Sequence, residues 1–405
     1  MSVDRRTRVD GAAGADRPSV DERFDELAAA FSGADDLIGP GIEWLGLRPL
    51  TLEVDDVHWT LRPVGGTVEV ERGEATEGAR WRLSADDLHD LLDDQTTPMG
   101  YFSSGRLDQT RGRLGHLLDW WLVLRGAIDR EAVHVPGAMV FEDADGRPLD
   151  LGRSFGHDDD PADILAFLES AGFVHLAGWY DPDLMAQISA DMDRAAPTYS
   201  PDDGRSWWAT VGDGSERLVR MQAFHQHSDA VAELLEGDDL ASIGALTGDG
   251  HLFDGPTGKN PIEALFKPVG VVAGISDVPW HKDCSLGRHS YECCRLTVGI
   301  SVTGGRAGTG QLRVRAGSHR ALVWPALEQP GLDLPDVALP TEAGDVTVHL
   351  SCTLHTAEPP TRAERRVMYT GCRLPLDDAA AAEGRRRLGA IREAAPVTVS
   401  QPAAR

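Results

Sequence analysis

The chain reads as an α+β protein of two domains: a small antiparallel sheet with helices towards the N-terminus, then a sandwich or jelly roll with flanking helices. Three observations predict this. Leu50, Leu52 and Val54, then Val57, Trp59 and Leu61, then Val68 and Val70 alternate with polar residues, and Gly65-Gly66 turns the chain between runs. From about residue 265 the sequence becomes one short strand after another, LTVGISV, QLRVR, DVTVHL and RVMYTG, parted by Gly, Pro and Asp. Between these regions, residues 135–160 form a Pro/Gly/Asp-rich stretch with the composition of a linker. The 405 residues also suffice for two or three domains of ~150 residues each.

The elements follow in order. Residues 1–20, rich in Asp, Arg, Gly and Ala, read as a flexible tail, and 21–134 as the first domain. Ser84 with Asp87 three residues on marks a helix start, with Leu88, Leu91 and Leu92 on one side. A second helix over 112–125 gathers Leu114, Leu117, Leu118, Trp121 and Leu122 into one stripe. The second domain spans 161–378. Asp160-Pro161 and Asp181-Pro182 each cap a helix, FVHLAGWY is a strand between them, and FHQHSDAVAELL is a loop entering a helix. Residues 379–405 form a partly helical C-terminal tail.

Composition excludes several classes of function. A formal net charge of -26, with no basic run beyond Arg385–Arg387, opposes binding to nucleic acid or an acidic membrane surface. No apolar run approaches the ~20 residues of a membrane span, and the N-terminus lacks the apolar core of a signal peptide. Five cysteines without a C-x-x-C pair support neither a disulfide framework nor a zinc ribbon. The expectation is a soluble cytoplasmic protein acting on a small molecule, its oligomeric state unread.

The chemistry centres on PWHKDCSL, residues 279–286. Side chains alternate on a strand, so His281 and Asp283 share a face while Lys282 points away. One imidazole and one carboxylate make two-thirds of a facial triad of the kind that holds non-haem Fe(II), and a second histidine must complete it. In GDVTVHLSCTLHTAEPP both His349 and His355 fall on the polar face, and periodicity does not choose between them. His355, at the strand end beside a Pro-Pro turn, is the better-placed candidate. Arg366, eleven residues on, can bind the distal carboxylate of a chelating 2-oxoglutarate through two parallel hydrogen bonds; a slip of one residue exchanges it with Arg365. His225 and His227, Ser318-His319, and the vicinal Cys293-Cys294 pair read as structural residues. Cys284 and Cys352 read as small side chains packed beside the metal strands, and Trp207, Trp208 and Trp280 as pocket walls or core.

The ordered pieces GFVHLAGWYDPDLMAQI, FKPVG, PWHKD, TGQLRVRAGSHR and GDVTVHLSCTLH with its following arginine resemble the phytanoyl-CoA dioxygenase family over about residues 160–375. The resemblance implies a double-stranded β-helix. It also implies Fe(II) held by His281, Asp283 and His355, 2-oxoglutarate anchored by Arg366, and O2 as co-reactant. Lys267, before a proline, and Lys282, where many members carry glutamine, are candidate cosubstrate contacts. Ala357 stands where the family favours a small hydroxyl residue. A carboxylate at Asp283 disfavours halogenation, so hydroxylation, desaturation or ring closure is expected, with tailoring of a secondary metabolite as the preferred setting. More weakly, on element order and FSSGRL, residues 40–130 resemble sterol-carrier-protein-like domains. The rival reading is a lipid carrier on a degenerate oxygenase scaffold, which the intact H-x-D, distal histidine and arginine oppose.

Overall fold

The computed structural model describes residues 17–374 apart from Ala144, Asp249, Asp254 and residues 256–260, 275–277 and 285–294. Most of the expected N-terminal tail, the C-terminal tail and the Cys293-Cys294 pair lie outside the described residues.

Two helices that the alternation analysis did not single out come first. Ser19 and Glu22 form a reciprocal capping box that starts α1 (Val20–Phe31), whose Phe24, Leu27 and Phe31 are buried. Next come α2 (Asp35–Leu45), β1 (Leu50–Val54), β2 (Val57–Val64), β3 (Thr67–Arg72) and β4 (Ala79–Leu83). Then α3 (Ala85–Leu92) starts at the expected cap, with Ser84 accepting from the Asp87 N–H. After α4 (Pro98–Ser103) and β5 (Asp108–Arg111), α5 (Leu114–Asp129) supplies the apolar stripe.

The five-stranded sheet runs β3-β2-β1-β4-β5. It is not wholly antiparallel, as expected, because β1 and β4 are parallel. The chain leaving β3 crosses back to the free edge of β1. Gly78, at φ +84°, presses against the Pro49 carbonyl where a Cβ would overlap it, and the Ala79 N–H donates to that carbonyl at 2.9 Å.

The second region contains α6 (Pro161–Ala171), β6 (Phe173–Leu176), α7 (Pro182–Ala195), β7 (Ser206–Val211), β8 (Glu216–Met221), α8 (Asp229–Glu236), α9 (Asp239–Ala245), β9 (Leu252–Phe253), β10 (Glu263–Lys267) and β11 (Val271–Ala273). It ends with β12 (Arg295–Ser301), β13 (Leu312–Arg315), β14 (Asp336–Leu339), β15 (Val346–Leu350), β16 (His355–Ala357) and β17 (Arg365–Arg373). Asp160 and Asp181 cap α6 and α7 through their side chains, each with proline in the first turn. One large sheet runs β11-β7-β8-β10-β17-β12-β15-β6, with β9 also on β17, and a small one runs β14-β13-β16.

Two main hydrophobic cores result among the described residues, beside two small clusters. The larger lies within residues 155–372. The other fills the N-terminal sheet and helices, and it also takes in Leu322, Trp324 and Ala326 from the loop after β13. The 135–160 stretch therefore does not separate the two regions cleanly. Among the described residues no helix is long and apolar enough to cross a membrane.

Candidate metal centre

Backbone pairing brings the centre together before any side chain is considered. His281 and His355 exchange N–H to carbonyl bonds at 3.0 Å in both directions, and the Asp283 N–H donates to the Ser351 carbonyl at 2.7 Å. This staples the H-x-D segment to the edge of β16 and to the turn that follows β15. Alternation then directs His281 and Asp283 to one side, as expected.

Their donor atoms, with those of His355, lie within 4.8 Å of one another. His281 Nδ1 donates to the Pro279 carbonyl at 2.8 Å, and His355 Nδ1 donates to the Thr353 carbonyl at 2.9 Å. Each bond fixes the tautomer, so each Nε2 keeps its lone pair. Both Nε2 atoms converge on Asp283 Oδ1, each at 3.6 Å. The other carboxylate oxygen, Oδ2, is held by the Thr297 hydroxyl at 2.7 Å. Three lone-pair donors aimed at one another repel unless a cation sits between them, so the donor set and its orientation fit a metal ion. The side chains of His355, His281 and Asp283 are 9 %, 22 % and 34 % exposed, which leaves an opening on the aspartate side.

The electrostatics agree. Burial opposes the charge on Asp283, but His355, His281 and His349 outweigh it and hold the carboxyl well below its usual range. Burial, followed by His349 and His281, holds His355 well below the ordinary imidazole range despite Asp283. An ionised carboxylate and a neutral imidazole are the ligand forms a metal requires.

His349, the other candidate ligand, lies beside the group. Its ring centroid is 4.2 Å from that of His355, and its Nε2 is 3.8 Å from Asp283 Oδ2, the oxygen already taken by Thr297. Both its nitrogens are buried without a hydrogen bond.

The arginine assignment changes. Cross-strand partners share a face, so Thr297, paired with His349 and Gly371, marks the face of the large sheet that looks onto the centre. Counting along β17 by twos puts Tyr369, Val367 and Arg365 on that face and Arg366 on the other. Arg366 stacks over Phe266 and bonds Ser189 and Asp193 of α7, so the register rules it out as the cosubstrate anchor. Arg365 is 1 % exposed, gives one bond to the Gly310 carbonyl, leaves its Nε unpartnered, and has no carboxylate in ion-pair range among the described residues. The neighbouring Gln311 carbonyl accepts from Glu358 N–H, three residues and about 10 Å of strand beyond His355.

Lys267 is the cross-strand partner of Arg365, so two cations are opposed on this face. Lys282 does not face the centre: it is fully buried on the far side, and its Nζ donates to the Ser318 carbonyl at 2.9 Å, which makes it a strut for the metal strand.

Ser318 and His319 have structural tasks. The serine hydroxyl accepts from Leu354 N–H, and the histidine donates to the Glu169 carbonyl. His225 and His227 form a short 3-10 turn. Cys284 packs near Ser351 and Cys352 near His319. Trp207 lies on the same face as Arg220 and Leu265, the face looking onto the centre, whereas Trp280 stacks under Arg315. Thr297 was missed at the sequence level; its signal was its place on the polar side of LTVGISV.

Residues 168–367 match the family model described as phytanoyl-CoA dioxygenase (PhyH). The comparison with curated proteins finds no match. Among solved structures, AviO1 from Streptomyces viridochromogenes is 22 % identical over 53 % of this chain and 96 % of its own, with a TM-score of 0.39. The non-heme alpha ketoglutarate dependent epimerase SnoN from nogalamycin biosynthesis is 20 % identical over 53 % and 82 %, with a TM-score of 0.40. EctD from S. alaskensis is 19 % identical over 55 % and 81 %, with a TM-score of 0.43. The family match does not reach the N-terminal region, whose sterol-carrier likeness rests on element order alone. Over residues 168–367 the chain carries a phytanoyl-CoA dioxygenase family domain, and it is an enzyme of the Fe(II)- and 2-oxoglutarate-dependent dioxygenase type.

Proposed function

We propose that His281, Asp283 and His355 hold Fe(II), that Arg365 anchors the distal carboxylate of 2-oxoglutarate, and that the protein hydroxylates a small-molecule substrate. One observation carries the reading: two tautomer-locked Nε2 lone pairs meet a carboxylate oxygen whose partner oxygen is tied to Thr297. Iron in such a site supplies oxygen activation coupled to decarboxylation of 2-oxoglutarate. The chain supplies placement.

The backbone carbonyls of Pro279 and Thr353 keep both imidazoles neutral and turned inward, and Thr297 stops the carboxylate rotating. A buried guanidinium without a carboxylate is costly, and a bound dicarboxylate removes that cost through paired hydrogen bonds. Lys267, on the same face, adds positive charge beside the anion. Val367 and Leu265, buried on that face, keep water away from the cosubstrate chain, and the opening beside Asp283 is where substrate enters. Because Asp283 fills the third ligand position with a carboxylate, no halide takes its place, and oxygen transfer is favoured over halogenation. The N-terminal region reads as a domain of its own that closes onto the loop around Trp324.

The test is 2-oxoglutarate affinity of the Fe(II)-loaded protein without oxygen. Arg365→Gln removes hydrogen bonds to a charged group, worth about 1.5–3 kcal/mol, so affinity falls roughly 10- to 100-fold. Arg366→Gln leaves it unchanged. The reverse pattern would return the anchor to Arg366 and refute this register.

A further inference from the structure

We propose that the hollow between the N-terminal sheet and the Trp324 loop is a second binding site, for a ligand that joins a flat apolar ring to one anionic group. The hollow has a volume of ≈ 450 Å³, ample for a small organic molecule. None of the candidate iron or 2-oxoglutarate residues lines it.

The apolar wall comes from Trp44, Trp120 and Trp324. Two of these rings are fixed by their own N–H groups. Trp120 donates to the Arg48 carbonyl at 2.8 Å and Trp324 to Asp119 Oδ1 at 2.9 Å. Gly115 lets the first turn of α5 lie against the Trp324 ring, since a Cβ there would stand 3.0 Å from it.

The opposite character belongs to Arg48, Arg113 and His116. In a chain of net charge -26, neither arginine has a carboxylate in ion-pair range among the described residues. Arg48 donates to His116 Nε2 at 3.0 Å, so Nε2 is the acceptor and Nδ1 carries the hydrogen. That Nδ1 donor is buried with no partner. Arg113 is also the N-cap of α5 and caps nothing with its side chain, so the N–H groups of a 16-residue helix face the same end. Two guanidiniums without a carboxylate partner and the N-terminus of α5 border the hollow, which is the recognition chemistry of an anion. Asp119 also lines the hollow, with its Oδ1 taken by the Trp324 N–H at 2.9 Å.

The position adjoins the metal strand. Two residues past Trp324, Ala326 forms a bridge with His281, and the Pro325 carbonyl accepts from the Lys282 N–H. A ligand in the hollow thus sits behind the wall of the candidate iron site.

The proposal does not need the iron reading, so it is tested on the full-length, metal-free protein. The probe is 2-naphthoate, followed by calorimetry and tryptophan fluorescence, with the uncharged 2-naphthylmethanol beside it. We expect one saturable naphthoate site, at least tenfold tighter than the alcohol and weakened tenfold or more by Arg113→Gln and by Arg48→Gln, both exposed positions. Arg62→Gln, an arginine elsewhere on the sheet, and Arg365→Gln leave it unchanged. Equal affinity for acid and alcohol, no saturable binding, indifference to Arg113→Gln, or loss through Arg365→Gln in its place would each overturn the proposal.

Discussion

Thr297 shows what a single hydroxyl does at the candidate centre. Its bond to Asp283 Oδ2 leaves Oδ1 as the oxygen that both imidazoles face. Removing such a supporting contact costs about 10- to 100-fold in metal affinity. Thr297→Val, nearly the same volume, should weaken Fe(II) binding by that factor in a competition titration while leaving the melting temperature within a few degrees. Most of this site was legible as residues: H-x-D alternation placed His281 and Asp283 together and Lys282 apart. The choice between Arg365 and Arg366 was not, because facing depends on pairing register, which the hydrophobic pattern of RVMYTG does not set at its first residue. The Thr297–Gly371 pairing, counted by twos along β17, fixes which side each arginine takes.

At the scale of elements, caps were read most reliably, since a side chain and a proline act locally: Asp160-Pro161, Asp181-Pro182 and Ser84 all start helices where the sequence places them. The parallel β1–β4 pair was not legible, because crossover direction is decided by long-range packing. The end of α6 links an element to the site. Gly172 ends that helix at φ +83°, accepts the Thr353 hydroxyl at its carbonyl, and leaves no room for a Cβ, which would overlap His319 Nδ1 and lie 2.7 Å from Thr353 Oγ1. Thr353 in turn orients His355 through its carbonyl. Gly172→Ala adds left-handed strain of about 1–2 kcal/mol to that overlap. Chemical denaturation should show a loss of at least ~2 kcal/mol, together with weaker iron binding; a loss below 0.5 kcal/mol would mean the turn relaxes freely.

For the whole molecule, the shared core around Trp324 joins the N-terminal region to the oxygenase domain, and Asp119 reports on that seam. Its carboxyl titrates near 4 when unfolded but at about 6 when folded. Between those values the folded state retains a proton that the unfolded state has released. The stability from this group is therefore full below about pH 4 and lost as pH rises through 6, on the order of 2 kcal/mol after allowing for residual solvation. Asp119→Asn keeps an acceptor for the Trp324 indole and removes the charge. The variant should melt several degrees above the parent at pH 7.5, with the gain disappearing near pH 4. A constant difference across that range would mean that Asp119 is ordinarily solvated and that the seam is looser than described. The Pro/Gly/Asp stretch at 135–160 pointed to a boundary but not to this seam, because its partner lies almost two hundred residues downstream.

The proposed centre holds one ferrous ion among His281, Asp283 and His355. The most direct measurement is the visible charge-transfer absorption that appears when Fe(II) and then 2-oxoglutarate are added without oxygen. The band should form in the parent and in His349→Ala, and it should be lost in His355→Ala and in Asp283→Ala. Loss in His349→Ala with retention in His355→Ala would contradict this ligand set.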